Sequence, residues 1–224
     1  MTQPTGRRAQ TKALIRRNIV DAAMGLFEQH GFDAVTVQQI ADEAGVTRRT
    51  VHRYFPSKAA VIQGHDDDLA AQVLTALQRR PAAESVLTAS RAAIWELLYG
   101  DSELAMTARQ LDTLRRVRLL GIDNPALRQA TWFGSQRRIQ AVAEEFAHRC
   151  GHPVTDLHLQ LTATTWTSGV MLALDRWAAG PDVGLAALAA TLDTVLTTLS
   201  NGLDIPATTP PGCDPAQNHP ALSD

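Results

Sequence analysis

The stretch Thr36–Lys58 reads TVQQIADEAGVTRRTVHRYFPSK, and its local physics decides the fold. Thr36 followed three residues later by Gln39 is a capping box, so a short helix starts there and runs over 37–44. Val37, Ile40, Ala41 and Ala44 fall on one face of it. Gly45 permits a sharp turn. Thr47 caps a second short helix over 48–55, with Val46 and Val51 placed as a hydrophobic staple and Pro56 as the stop. Val46, Val51 and Phe55 pin this second helix inward, which leaves Arg48, Arg49, Thr50, His52 and Arg53 on the outside. Two short helices joined by a tight turn, the second with a basic outer face, form a helix-turn-helix that presents its second helix to a DNA major groove.

Working outward, Ile15, Ile19, Ala23, Leu26 and Phe27 share one face of a first helix over 11–30, which Gly31 ends. Downstream the spacing predicts helices over 58–79, 83–99, 102–120, 125–150, 155–179 and 183–200. Their borders are marked by Asn124-Pro125, Gly151, Gly180-Pro181 and Asn201-Gly202. No stretch alternates apolar and polar residues as a half-buried strand does. The expected fold class is therefore all-α. Residues 1–57 form a three-helix DNA-binding domain, and 58–202 a six-helix domain for ligand binding and dimerisation. Residues 203–224 carry five Pro among small polar residues and read as a disordered tail.

The whole chain of 224 residues has a net charge of −2, which alone argues against a nucleic-acid binder. The distribution reverses this. Residues 1–58 hold nine Lys/Arg and five Asp/Glu, a net of +4; residues 59–224 hold twelve and eighteen, a net of −6. A basic head on an acidic body confines the DNA-attracting field to one end. No run of about 18 residues is free of polar interruption, so no membrane span is expected. The basic, polar N-terminus is no signal peptide. Two distant cysteines, Cys150 and Cys213, fit a reducing cytoplasm.

The Ile-Ala, Ala-Gly-Val and Tyr-Phe-Pro-Ser-Lys signatures at their spacing resemble the TetR family of bacterial regulators, over about Ile19 to Val61. Three helices followed by six also match that family's architecture. The resemblance implies that Thr36 and Thr47 hold phosphates beside helix N-terminal amides, and that Arg48, Arg49 and Thr50 meet base edges. It further implies that Tyr54 touches the DNA backbone and Lys58 a phosphate. His52 stands where the family usually has Tyr, and Arg49 where it often has Gly. A more limited resemblance, over Arg115 to Leu127 and the amphipathic helix that follows, is to TetR regulators of the mycofactocin-regulator type. It implies an acyl-CoA-like effector.

Arg7, Arg8, Lys12, Arg16 and Arg17 make a basic arm, with Arg16 and Arg17 best placed on DNA. His148, Cys150 and His152 lack a fourth ligand and straddle a helix end, so no metal is expected. His65 with Asp66, Asp67 and Asp68 reads as a solvated helix face. No nucleophile elbow or phosphate loop occurs, so neither enzyme activity nor a cofactor is expected. Trp95, Tyr99, Trp132 and Trp166 lie on successive helices and are expected to line an apolar pocket of roughly 300 Å³ or more, with Arg115 or Arg118 anchoring an acidic group at its mouth. Leu185, Leu188, Leu192, Val195 and Leu199 step along the last helix. With Ala163, Thr167, Gly169 and Ala173 they are expected to build a homodimer interface.

The function these residues imply is a ligand-responsive transcriptional regulator. It is a homodimeric repressor that binds double-stranded operator DNA and is released by a small hydrophobic effector, neutral or anionic. The alternatives are an activator of the same fold and a helical interaction module with a vestigial helix-turn-helix.

Overall fold

In the computed structural model, residues 5–124, 127 and 132–203 are described, and these form helices joined by turns and short irregular links, with no strand among them. The order is α1 (Thr5–His30), α2 (Val37–Glu43), α3 (Arg48–Tyr54), α4 (Lys58–Gln78), α5 (Val86–Tyr99), α6 (Ala108–Asp123), α7 (Trp132–Cys150), α8 (Leu157–Ala178) and α9 (Leu185–Asn201). Leu127 is helical and buried, and its amide donates to Asn124 Oδ1 at 3.0 Å, the cap read at that position. The tail at 204–224, including Cys213, lies outside the described residues, as do the side chains of Arg7, Arg8 and Trp132.

Caps set most of the boundaries. Thr36 and Gln39 close the capping box of α2, with the Gln39 amide donating to Thr36 Oγ1 at 3.2 Å and the Thr36 amide donating to Gln39 Oε1 at 2.8 Å. The sixth helix departs from its expected start at 102. Thr107 and Gln110 form a second capping box, and α6 begins only at Ala108. The Ser102 hydroxyl instead serves a local turn by accepting from the Leu104 amide. Likewise Ser85, not residue 83, caps α5.

Two hydrophobic cores result. One joins α1, α2, α3 and the first turn of α4 around Ile19, Met24, Phe27, Ile40, Val51 and Phe55; it also takes in Val61, Ile62, and Val117 and Leu127 from further along the chain. The other fills the space between the second half of α4 and α5–α9, around Leu97, Leu114, Phe146, Trp166, Leu174 and Leu196. α4 spans both, with Ala59, Val61 and Ile62 buried in the first and Val73, Ala76 and Leu77 in the second, and α6 joins them too through Leu114 and Val117. Where α1 crosses α4, Gly64 leaves no room for a side chain, since a Cβ there would lie 2.5 Å from Phe55 Cε1 and 2.6 Å from Arg16 Nη2. Ion pairs Arg109–Asp21 at 2.6 Å and Arg116–Glu28 tie α6 to α1.

Candidate DNA-reading surface and effector cavity

The reading surface is built by the turn at Gly45, whose φ of +65° suits a residue without a Cβ. Val51 and Phe55, 1% and 2% exposed, fasten α3 to the first core. Thr47 accepts from the Thr50 amide at 3.1 Å, and the two hydroxyls meet at 2.9 Å. Arg48, Arg49, His52 and Arg53 are then exposed on the outer side of α3, with Arg49, Thr50, His52 and Arg53 around a shallow depression. Arg48 Nε approaches His52 Nε2 at 3.4 Å, and the Arg53 guanidinium lies 5.2 Å from the half-buried Tyr54 ring. Among the described residues none of these arginines has an acidic partner. A row of uncompensated guanidiniums with hydroxyls between them is chemically suited to phosphates and guanine edges. Arg53 had no assigned role on the sequence, although its outward position was legible there.

Two expected DNA contacts are engaged inside the protein instead. Lys58 Nζ donates to the carbonyl oxygens of Phe32, Asp33 and Val35 at 2.5, 3.0 and 3.0 Å and sits 4.4 Å over the Phe32 ring. It satisfies the carbonyls that follow α1, which are otherwise without helical partners. Arg16 folds onto α4, donating to Asp68 Oδ2 at 2.9 Å and to the Gly64 carbonyl at 3.0 Å, with Phe55 beneath it. Arg17, its neighbour, is exposed.

Within the second core lies a cavity among α4–α9. The centre of a water-sized sphere can occupy about 60 Å³ of it. It is lined mainly by aliphatic side chains, such as Leu69, Leu97, Val170 and Leu188, with Trp166, Asp66 and Arg138 at its margin. This corrects the expected pocket in three ways. The enclosed space is far below the 300 Å³ scale. Of the expected aromatics whose side chains are described, Trp95, Tyr99 and Trp166, only Trp166 lines it. Trp95 is half-buried on the outside of α5 under Arg91 and against Tyr99, which is 53% exposed. A wider, more open cleft of about 730 Å³ lies between α1, α4 and α6, and it shares Leu69, Met106 and Leu114 with the inner cavity as the dividing side chains.

The expected arginine anchors are also corrected. Arg118 is buried in an ion-pair network, with Asp175 at 2.5 Å and Asp66 at 3.2 Å. Its guanidinium is held charged against the cost of burial by those two carboxylates. Arg115 does not line the cavity. Arg138, which sequence reasoning passed over, is 6% exposed and pairs with Asp67 at 3.0 Å and Asp66 at 3.7 Å. An arginine on an amphipathic helix reads as surface unless its partners on another helix are known.

The leucine stripe of α9 turns inward too. Leu188 and Leu192 are 1% and 3% exposed and line the cavity. Leu185, Val195 and Leu199 are half-buried against the same core, the last two over Gly169, where a Cβ would meet Val195 Cγ1 at 2.8 Å. The stripe thus packs within one subunit. On α8, the large apolar residues left facing outward are Leu157, Leu161 and Leu172, at 79, 61 and 62% exposure. Among the described residues no three potential ligands converge on a metal position, and no helix is long and apolar enough to cross a membrane.

Residues 19–64 match the signature of bacterial regulatory proteins of the tetR family, and residues 84–204 match the MftR C-terminal domain. The chain belongs to the TetR family of DNA-binding, ligand-responsive transcriptional regulators. Within it, the chain is similar to the putative mycofactocin biosynthesis transcriptional regulator MftR of Mycobacterium tuberculosis, 32% identical over 171 residues, which are 75% of this chain and 80% of that protein. It is also similar to the HTH-type transcriptional repressor KstR2 of Rhodococcus jostii, 32% identical over 42% of this chain and 50% of that one. Among solved structures, FadR of Thermus thermophilus, a TetR-family repressor in complex with lauroyl-CoA, is 26% identical. It aligns with a TM-score of 0.53, over 88% of this chain and 100% of that one.

Proposed function

We propose that this regulator is a cytoplasmic homodimeric repressor that leaves its operator when a small hydrophobic effector, of the acyl type, occupies the space between α4 and α8. The observation that carries the DNA half of this reading is the outer face of α3, where Arg48, Arg49 and Arg53 stand exposed without acidic partners among the described residues. Thr36, Thr47, Thr50, His52 and Tyr54 lie in or beside α2 and α3, and with Arg17, exposed on α1, they complete the proposed contact set. Two such helices on a symmetric dimer read half-sites about one helical turn apart, roughly 34–36 Å.

The effector half is supported by the apolar cavity, with Trp166 at its wall, and by the lauroyl-CoA bound in the T. thermophilus relative. The narrow cavity and the open cleft beside it are separated only by Leu69, Met106 and Leu114, so a larger ligand is accommodated by moving those side chains. An effector that binds better to the resulting arrangement shifts the population toward it. The dimer is assigned to the outer faces of α8 and α9, where Leu157, Leu161 and Leu172 are accompanied by uncharged small residues such as Thr164, Ser168, Ala190 and Thr194.

The test is a mobility shift with a duplex carrying the region upstream of the protein's own coding sequence, repeated over a salt series and with lauroyl-CoA added. Binding that weakens steeply with salt and is released by lauroyl-CoA is the expected result. No binding to any duplex would sink the DNA reading. Operator binding indifferent to lauroyl-CoA would sink the acyl-effector reading alone.

A further inference from the structure

The cavity among α4–α9 is almost wholly aliphatic, yet two hydrogen-bond donors on its wall are left over. The indole nitrogen of Trp166, in a side chain 5% exposed, and Nε of Arg138, 6% exposed, are both buried with no hydrogen-bond partner among the described residues. His65 Nδ1 and Arg115 Nε are also buried without partners, but neither residue lines the cavity. Trp177, equally buried, donates its indole N–H to the Gly184 carbonyl at 3.3 Å. The other polar groups on the wall are already engaged. Thr167 Oγ1 donates to the Ala163 carbonyl at 2.8 Å, and the Asp66 carboxylate is held by Arg118 and Arg138. Leaving a donor buried and unpaired is costly, so what the cavity lacks is an acceptor.

The charges around it decide what kind. Arg118, Arg137 and Arg138 face Asp66, Asp67 and Asp175, three positive groups against three negative ones. His65, on the neighbouring turn of α4, is kept neutral chiefly by burial. The network is balanced, and an anion brought into it arrives without a counter-charge.

We infer that the cavity reads a neutral carbonyl oxygen: an apolar ligand whose ketone, ester or thioester C=O accepts from Trp166 Nε1 and from the Arg138 guanidinium. This rests on the reading of the cavity as the effector site and names the group it recognises. Arg138 also holds α4, through Nη1 to Asp67 at 3.0 Å, so the oxygen acts on the same guanidinium that ties α7 to the helix leading into the DNA-reading head. Trp166 is then the specificity donor, and Arg138 is both donor and relay.

Acetophenone, ethylbenzene and benzoate are near-isosteric probes that differ in the acceptor and its charge. With the full-length protein, dissociation constants are measured by titration, and the Trp166 indole N–H is followed by heteronuclear NMR, its resonance assigned by its loss in Trp166→Phe. Acetophenone should bind at least about fivefold tighter than ethylbenzene, the gain of a single hydrogen bond, with the second donor adding to it, and should move the Trp166 resonance downfield. Benzoate should bind more weakly than acetophenone. Trp166→Phe, which removes the orphaned N–H together with part of a core-packed ring, should melt below wild type and narrow the affinity ratio of the two neutral probes to what Arg138 alone supports. Arg138→Lys, which keeps a cation opposite Asp66 and Asp67 but removes Nε, should also narrow the ratio. Equal affinity of wild type for acetophenone and ethylbenzene, both perturbing Trp166, overturns the carbonyl assignment and leaves the effector cavity standing. Benzoate binding tighter than acetophenone overturns the neutral character of the group. If no probe perturbs Trp166, the cavity reading itself falls, and this inference with it.

Discussion

The arginines of α3 and those of α6 are the same residue type on two helices of one chain, and the structure treats them in opposite ways. On α3, Arg48, Arg49 and Arg53 point into solvent with no carboxylate near them among the described residues. On α6, Arg109, Arg116 and Arg118 are paired, with Asp21, with Glu28 and Asp112, and with Asp66 and Asp175, and Arg115, its Nε buried without a hydrogen-bond partner, is the exception. A guanidinium cannot discharge itself by losing its proton, so its charge is met either from within or from outside. Where the protein supplies the carboxylates, the arginine holds helices together. Where it supplies none, the arginine is left for an anionic partner, and a duplex is the partner that suits a row of them.

The largest effect that tests this contrast is on the buried pair. Arg118→Met removes the cation beside Asp66, which is 8% exposed, and leaves that carboxylate with the more distant Arg138 alone. Breaking such a pair costs about 3 kcal/mol or more, and thermal unfolding should shift down by roughly 6 °C or more, at about 2–4 °C per kcal/mol for a chain of this size. A melting point within a degree of wild type would show that α6 is not held this way.

Next in size is the exposed set. Arg49→Ala should leave the melting temperature unchanged and cost about 1–3 kcal/mol of operator affinity, read by fluorescence anisotropy on the cognate site. Lys58→Met, by contrast, should lower the melting temperature while leaving the salt slope of DNA binding as in wild type, because Lys58 Nζ is committed to three backbone carbonyls. A flattened salt slope in Lys58→Met, with full stability, would return that residue to the DNA surface.

The smallest effect is a pH dependence at the junction of the two cores. Burial lowers the pKa of His65 below its ordinary 6.5, against the opposing pull of Asp66 and Asp68. Below pH 6.5 the unfolded chain takes up a proton at this position that the folded protein resists, so stability falls as pH drops from that value toward the folded pKa and is flat above it. His65→Gln should therefore lose less melting temperature than wild type between neutral pH and pH about 5. Parallel curves for the two proteins would place the proton elsewhere.

How much of this was legible in the chain depends on how local the cause is. Caps, turns and staples act over three or four residues, so Thr36, Gln39, Gly45, Thr47 and Val51 placed α2 and α3 within a residue or so. The start of α6 was misplaced because two caps compete there, and Thr107 with Gln110 closes both hydrogen bonds of a capping box while Ser102 does not. Alternation of apolar residues showed that the last helix buries a stripe, but periodicity says nothing of what the stripe faces. Leu188 and Leu192 proved to face their own subunit's cavity.

By itself, then, the sequence determined the all-helical class, the helix-turn-helix and its outward arginines, since each follows from contacts within a turn or two of helix. Only the tertiary structure decided which charges are answered from within. Arg16 meets Asp68 across 52 positions, Arg118 meets Asp175 across 57, and Arg138 meets Asp67 across 71. Pairings at such separations depend on how α1, α4, α6, α7 and α8 stack, and that is settled by the packing of whole cores rather than by any local pattern.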